Sequence, residues 1–140
     1  MVCKNKTDEY LVYERQKLPF IDMIGFPYGK VHVGESIQKA AEREIKEKTG
    51  FSATLIQKGI LYLLVTDTDD KVLTHMLCHI YLGTDPKEVA TPDEPFNRVS
   101  WMNEKDLLKA NCMPGVADVL RIATSKKSGL QFEELSFIHE

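Results

Sequence analysis

Residues 29–51 read GKVHVGESIQKAAEREIKEKTGF, and the fold turns on how this stretch is read. Ser36 stands where a helix N-cap is wanted, because its side-chain oxygen can accept a backbone N–H of the first turn. Behind it Ile37, Ala40, Ala41 and Ile45 recur at helical spacing and make one apolar stripe. Gly50 is a natural stop, so the spacing predicts a helix from residue 37 to about residue 49. Glu44, Glu47 and Lys48 fall at i, i+3 and i+4, which puts all three on one helix face. Two carboxylates together suit a divalent cation, and the lysine beside them opposes one.

The segment ahead of the helix, FIDMIGFPYGKVHVGES (20–36), carries Gly25, Pro27, Gly29 and Gly34 with apolar residues running between them. That density predicts a shaped loop rather than a linker. Glycines let backbone groups approach a ligand closely. The helix start offers free N–H groups to an anion. Carboxylates on the helix face can hold Mg²⁺, a hard cation that prefers oxygen ligands. The parts together suit a diphosphate, whose charge a metal neutralises while water is positioned for attack.

The same 23 residues closely resemble the box of the Nudix (MutT-like) hydrolase family, G-x5-E-x7-R-E-U-x-E-E-x-G-U, where U is a bulky aliphatic. Gly29, Glu35, Arg43, Glu44, Ile45, Glu47 and Gly50 are in register, with Phe51 at the last apolar position. The order of elements around the box is similar to the family over nearly the whole chain. The resemblance implies a Nudix-type α/β/α sandwich with a mixed sheet. It also implies a hydrolase that cleaves a phosphoanhydride of a nucleoside diphosphate derivative, using Mg²⁺ or Mn²⁺ and water. Carried over, Glu44 and Glu47 are metal ligands. Arg43 orients the glutamates. Glu35 braces the loop and lies near the metals. Gly29 shapes the loop where substrate binds.

Three positions depart from the pattern. Lys48 replaces a glutamate that is usually a metal ligand in the family. Tyr28 replaces a glycine in a common PGG, here PYG, although its backbone carbonyl is still available to a metal. His32 stands where an acid is frequent. The Lys48 exchange changes local charge by two units. Two unit charges about 4 Å apart interact by roughly 4 kcal/mol at an effective dielectric of about 20, so the lysine works against a cation. Glu44 to Lys48 is also the favourable orientation for an i, i+4 ion pair, and a lysine ammonium can contact phosphate. A second reading follows: the same fold with an impaired metal site, acting as a nucleotide- or partner-binding module.

Working outward, EYLVYERQ (9–16) is predicted as a strand after the turn NKTDE, with VCK (2–4) as a short partner strand. A chain that starts inside a strand is expected to be clipped at its N-terminus or cut from a longer parent. Residues 53–84 read as two long strands around TDTDDK (66–71). Thr74, Met76, Cys78, Ile80 and Leu82 share one face, and His75, Leu77, His79 and Tyr81 the other. DPKEVATPDEP (85–95) is predicted as a polar loop, NRVSWM (97–102) as a strand and NEKDLLKA (103–110) as a short helix. A further helix, PGVADVLRIATSKK (114–127), has Pro114 in its first turn. LQFEELSFIHE (130–140) reads as a last strand or as a surface segment. In the loop acids, Glu94 is the best candidate to complete the metal site, with Asp93 and Glu88 behind it. His75 and His79, about 13 Å apart along a strand, cannot share a metal. Trp101 and Phe26 read as packing or pocket wall, and Tyr28 as a cleft aromatic.

The 140 residues suit a single domain spanning 1–140. Composition is that of a globular protein, 43% hydrophobic and 28% charged. A net charge of −3 gives no reason to expect a nucleic-acid polymer or an anionic membrane as partner. No apolar run approaches the roughly 18 residues of a membrane span, and MVCKNKTDEY lacks the apolar core of a secretory signal. Cys3, Cys78 and Cys112 are odd in number and scattered, which favours reduced thiols in a cytosol over a disulfide frame or zinc site. The expected partner is a small-molecule nucleotide or other organic diphosphate, in the cytoplasm, with a homodimer left open.

Overall fold

The long hairpin is the spine of the fold. In the computed structural model, which describes residues 1–92 and 98–140, strand β4 (Phe51–Thr66) pairs antiparallel with β5 (Val72–Glu88), from Phe51↔Glu88 to Thr66↔Val72. Asp67 builds the turn between them: its Oδ1 accepts the N–H groups of Asp69 and Lys71, each at 2.9 Å. Register shifts at Ser52/Thr54, Gln57/Gly59 and Val65/Thr66 break the ladder, and irregularities of this kind increase twist and bend a hairpin over its own face. The strand β5 runs further than expected. Residues 85–88, read as loop, belong to it, with Lys87 and Glu88 paired to Ser52 and Phe51. Pro86 is accommodated at the register shift, where the ladder does not need its missing N–H.

β1 (Val2–Cys3) adds parallel to β5, and β7 (Gln131–Ile138) adds parallel to β4, giving a mixed sheet in the order β1-β5-β4-β7. A second, antiparallel sheet has the order β3-β2-β6, from Ile24–Gly25, Glu9–Glu14 and Arg98–Asn103. VCK was expected to partner β2. Its strand pairs with β5 instead, and only an isolated bridge, Lys4↔Tyr10, reaches β2.

Helix α1 (Ile37–Thr49) starts and stops where its caps predict. Ser36 Oγ accepts Lys39 N–H at 3.1 Å, and Gly50 takes a left-handed φ of 77° while donating to Lys46 O. Asn103 caps α2 (Glu104–Lys109) in the same way, through Asp106 N–H at 2.8 Å. Helix α3 (Val116–Thr124) begins two residues later than predicted, with Gly115 rather than Pro114 at its entrance. The cause is tertiary. Ile24 donates to Asn111 O and accepts from Met113 N–H, both at 2.8 Å, so the approach to α3 is tied to β3 and the chain can turn only after Pro114.

Two cores result. The larger joins Tyr10, Val12, Leu61, Leu63, Ile80 and Leu120. The smaller holds Leu11, Leu55 and Tyr81 against Ala41 and Ile45 of α1. Both faces of β2 are therefore buried, which is why four consecutive residues, Tyr10 to Tyr13, lie inside. These cores fix α1 against the sheets with its charged face turned to the glycine-rich loop.

Candidate functional site

The site is organised by one arginine. Arg43 Nε and Nη2 grip Glu35 in a two-pronged pair, at 2.7 Å to Oε2 and 2.8 Å to Oε1. Its Nη1 donates to Glu44 Oε1 at 2.9 Å and to Glu47 Oε2 at 3.1 Å, and Nη2 also reaches Lys30 O at 2.8 Å. A planar guanidinium with five donors can hold this many acceptors; an ammonium cannot. Arg43 thus stitches helix to loop while separating three carboxylates that would otherwise repel. Glu35 also accepts His32 N–H at 3.0 Å, which closes the loop on itself.

Arg43 first, and then the His32 N–H, holds the Glu35 carboxyl down at about 2. The folded value is below the ordinary carboxylate value of about 4.3, so the stabilisation is complete above that value and is lost as pH falls towards 2. The expected result is a melting-temperature difference between wild type and Glu35→Gln that is constant above about pH 5 and shrinks between about pH 4.5 and 2. A difference that persists unchanged to pH 2 would contradict the pairing.

Glu44 is buried, and the loop is built around it. Its Oε1 accepts Lys30 N–H at 3.2 Å besides Arg43. Its Oε2 is buried without a hydrogen-bond partner among the described residues. A buried unsatisfied polar atom costs about 1–3 kcal/mol, and more when it is charged. Gly29 makes the approach possible, because a Cβ there would meet Glu44 Cδ and both carboxylate oxygens. A carboxylate with one oxygen orphaned against a glycine backbone fits a hard cation. Glu44 Oε1 thus takes its hydrogen bonds from Arg43 and Lys30. Lys46 and Lys48 sit in the last turn of α1, where positive charge complements the helix dipole.

Glu47 lies one turn on, half-exposed, with the Arg43 contact at 3.1 Å. Glu35 spends its oxygens on Arg43 and on His32 N–H. Among the described residues no group of three or more His, Cys, Asp or Glu is placed to hold a metal by itself. Glu94 and Asp93 lie outside the described residues, and Glu88 is the last residue of β5. The histidines stay apart in function: His75 packs edge-on against Tyr62 at 5.2 Å, and His79 Nδ1 bonds Gln57 Nε2 at 2.8 Å. Trp101 packs edge-on against Phe51.

Tyr28 is held in place rather than loose. Its hydroxyl accepts Arg15 Nη1 at 2.7 Å, and its ring leans on Tyr13 with centroids 6.4 Å apart. Arg15 is the residue that sequence reasoning missed. Its Nε is shared between Lys17 O and Pro19 O, each at 2.9 Å, so it folds residues 15–19 beside the glycine loop. No local spacing links positions 15 and 28. A cavity of about 420 Å³ opens beside Tyr28, Gly29, Lys30 and Glu44 and continues inward along β4 and β5.

Comparison with known proteins bears on the fold and the family. The family model described as NUDIX domain matches residues 1–121. A candidate 8-oxo-dGTP diphosphatase of Bacillus subtilis (strain 168) is 38% identical over 84 residues, 60% of this chain and 50% of that protein. A candidate nudix hydrolase 1 of Caenorhabditis elegans is 32% identical over 113 residues, 79% of this chain and 29% of that protein. The chain thus spans half or less of these relatives. Among solved structures, the MutT protein of Bacillus halodurans superposes with a TM-score of 0.75 at 19% identity, over 98% of this chain and 86% of that one. The NUDIX domain of Shewanella oneidensis NrtR, solved with ADP ribose, gives 0.71 at 17%, over 86% and 80%. These structures share the fold, and the match along residues 1–121 completes the assignment: this chain belongs to the Nudix family.

Proposed function

We propose that the chain hydrolyses a phosphoanhydride of a nucleoside diphosphate derivative or another organic diphosphate. The observation that carries this reading is Glu44 Oε2, buried against Gly29 in the cavity lining with no hydrogen-bond partner among the described residues. Glu44 and Glu47 would hold Mg²⁺ or Mn²⁺, which supplies charge neutralisation for the diphosphate and acidifies water. Arg43 keeps both carboxylates in place and separates them from Glu35. The loop from Tyr28 to Lys30 brings the diphosphate against the helix. Water attacks one phosphorus, the bridging P–O bond breaks, and the leaving phosphate takes the bridging oxygen. Glu47, the more exposed of the two carboxylates, accepts the proton that the water loses. Three free cysteines fit a reducing cytoplasm, and the partner is a small molecule.

The test is phosphate release from nucleoside triphosphates, dinucleoside polyphosphates, sugar nucleotides and ADP-ribose with Mg²⁺ and with Mn²⁺. Turnover is expected, and Glu47→Gln is expected to lower kcat by about 10²–10⁴-fold without changing the melting profile. Measurable nucleotide binding with no turnover on any substrate would establish the binding module instead. Lys48 favours that second reading. Lys48→Glu is expected to tighten Mn²⁺ binding about tenfold or more in a direct titration, because it reverses a unit charge beside Glu44. Equal affinities would show that Lys48 does not set metal affinity.

A further inference from the structure

The cavity beside Glu44 is lined mostly by apolar side chains. Its mouth carries Tyr28, Val31, Ile37 and Leu77, all solvent-exposed, with Val31 at 48% and Leu77 at 61%. Isolated exposed apolar residues are ordinary, but four around one opening are not. Its interior is walled by Leu61, Leu63 and Val65 of β4, Met76 of β5, and Val116 and Val119 of α3. The polar side chains that line it are few and mostly engaged. Tyr28 Oη accepts from Arg15, and His79 Nδ1 bonds Gln57. Glu44 belongs to the diphosphate end, where Lys30 also lies. The Met1 amino group donates to Pro27 O at 2.7 Å. That leaves Thr74, Cys78, the second ring nitrogen of His79 and the buried Tyr81. No Asn, Asp, Gln or Ser side chain among the described lining residues is present to read the edge of a base. A base buried here would lose water from its several N–H and C=O groups and find few side-chain partners in return.

From this we infer that the substrate is a diphosphate ester of an apolar alcohol, with the diphosphate at Glu44 and Gly29 and the hydrocarbon in the cavity between β4, β5 and α3. The inference rests on the proposed diphosphate site and narrows its substrate. The volume, about 420 Å³, is that of a small-ligand pocket. Continuity does the positioning, because Glu44 and Val119 line one cavity, so a single ligand can touch both.

Calorimetric titration of the Mn²⁺-loaded protein tests it, using a series that cannot be hydrolysed: methylenediphosphonate, its butyl and octyl monoesters, and adenosine 5′-(α,β-methylene)diphosphate. Each buried CH₂ tightens binding about fourfold, so the octyl ester should bind roughly 100-fold or more tighter than the butyl ester, with one site per chain. It should also bind tighter than the adenosine compound. Met76→Trp, which fills the interior, is expected to erase at least tenfold of the octyl gain relative to methylenediphosphonate. Val119→Phe does the same from the opposite wall should the first variant fold poorly. Equal butyl and octyl affinities with tighter adenosine binding would overturn the inference and leave the diphosphate site standing. An octyl gain that survives both variants would mark surface adsorption and overturn it too. Methylenediphosphonate that does not bind at all would remove the diphosphate site, and the inference with it.

Discussion

Arg43→Met is expected to lower kcat by about 100-fold or more, because catalytic groups displaced by about 1 Å cost that much. The guanidinium holds Glu35, Glu44, Glu47 and the Lys30 carbonyl at distances from 2.7 to 3.1 Å. Methionine keeps the length of the side chain and none of the donors. Three carboxylates are then left side by side, and their repulsion drives Glu44 off the Gly29 loop. Arg43→Lys should recover little, because one ammonium cannot grip Glu35 in a fork and reach Glu44 and Glu47 as well. The loss should fall on kcat more than on KM, since the apolar cavity wall is untouched. Steady-state kinetics beside far-ultraviolet circular dichroism separates this from unfolding. A folded Arg43→Met protein with wild-type kcat would show that the cluster does not position the reacting groups.

Gly29→Ala is expected to be nearly as damaging, for a steric reason. The added Cβ would fall on the carboxylate carbon and both oxygens of Glu44, which Arg43 and Lys30 N–H hold on the other side. Neither partner can yield without breaking hydrogen bonds. The overpacking should cost about 1–3 kcal/mol of stability and about 100-fold in kcat. A double-mutant cycle makes the cause visible. In a Glu44→Ala background the clash is gone, so Gly29→Ala should then cost almost nothing, with a coupling of about 0.5–3 kcal/mol in denaturant melts. Additive losses would place the damage elsewhere in the loop.

Much of this was legible in the chain, for local reasons. Ser36 and Gly50 mark the ends of α1 because caps act within one turn. Glu44 and Glu47 could be placed on one face because a helix converts spacing into proximity, and the resemblance to the Nudix box added Gly29, Glu35 and Arg43. What escaped was tertiary. Residues 85–88 look like a polar loop, yet the partner strand at Phe51 and Ser52 recruits them into β5. β3 is two residues long, held by β2 on one side and residues 111–113 on the other, and shows no pattern of its own. The strand at 131–138 could be settled only by the free edge of β4 that it pairs with. Arg15 reaches Tyr28 across thirteen positions. The cavity is invisible in any window, since its walls come from the glycine loop, α1, β4, β5 and α3. Glu94, the acid expected to complete the metal site, lies outside the described residues.

The way Arg43 is shared has a consequence for how such a protein can change over generations. Gly29, Glu35, Arg43 and Glu44 depend on one another through contacts that each needs intact, so a single codon change in any of them is penalised until others change too. Glu47 has a lighter tie, a single contact to Arg43 from a half-exposed side chain. The cluster is therefore interlocked at its loop end and loosely held at its outer carboxylate. Replacement at Glu47 should leave the folded lattice standing where replacement at the inner positions does not, so the scaffold is inherited whole while its outermost acid can drift.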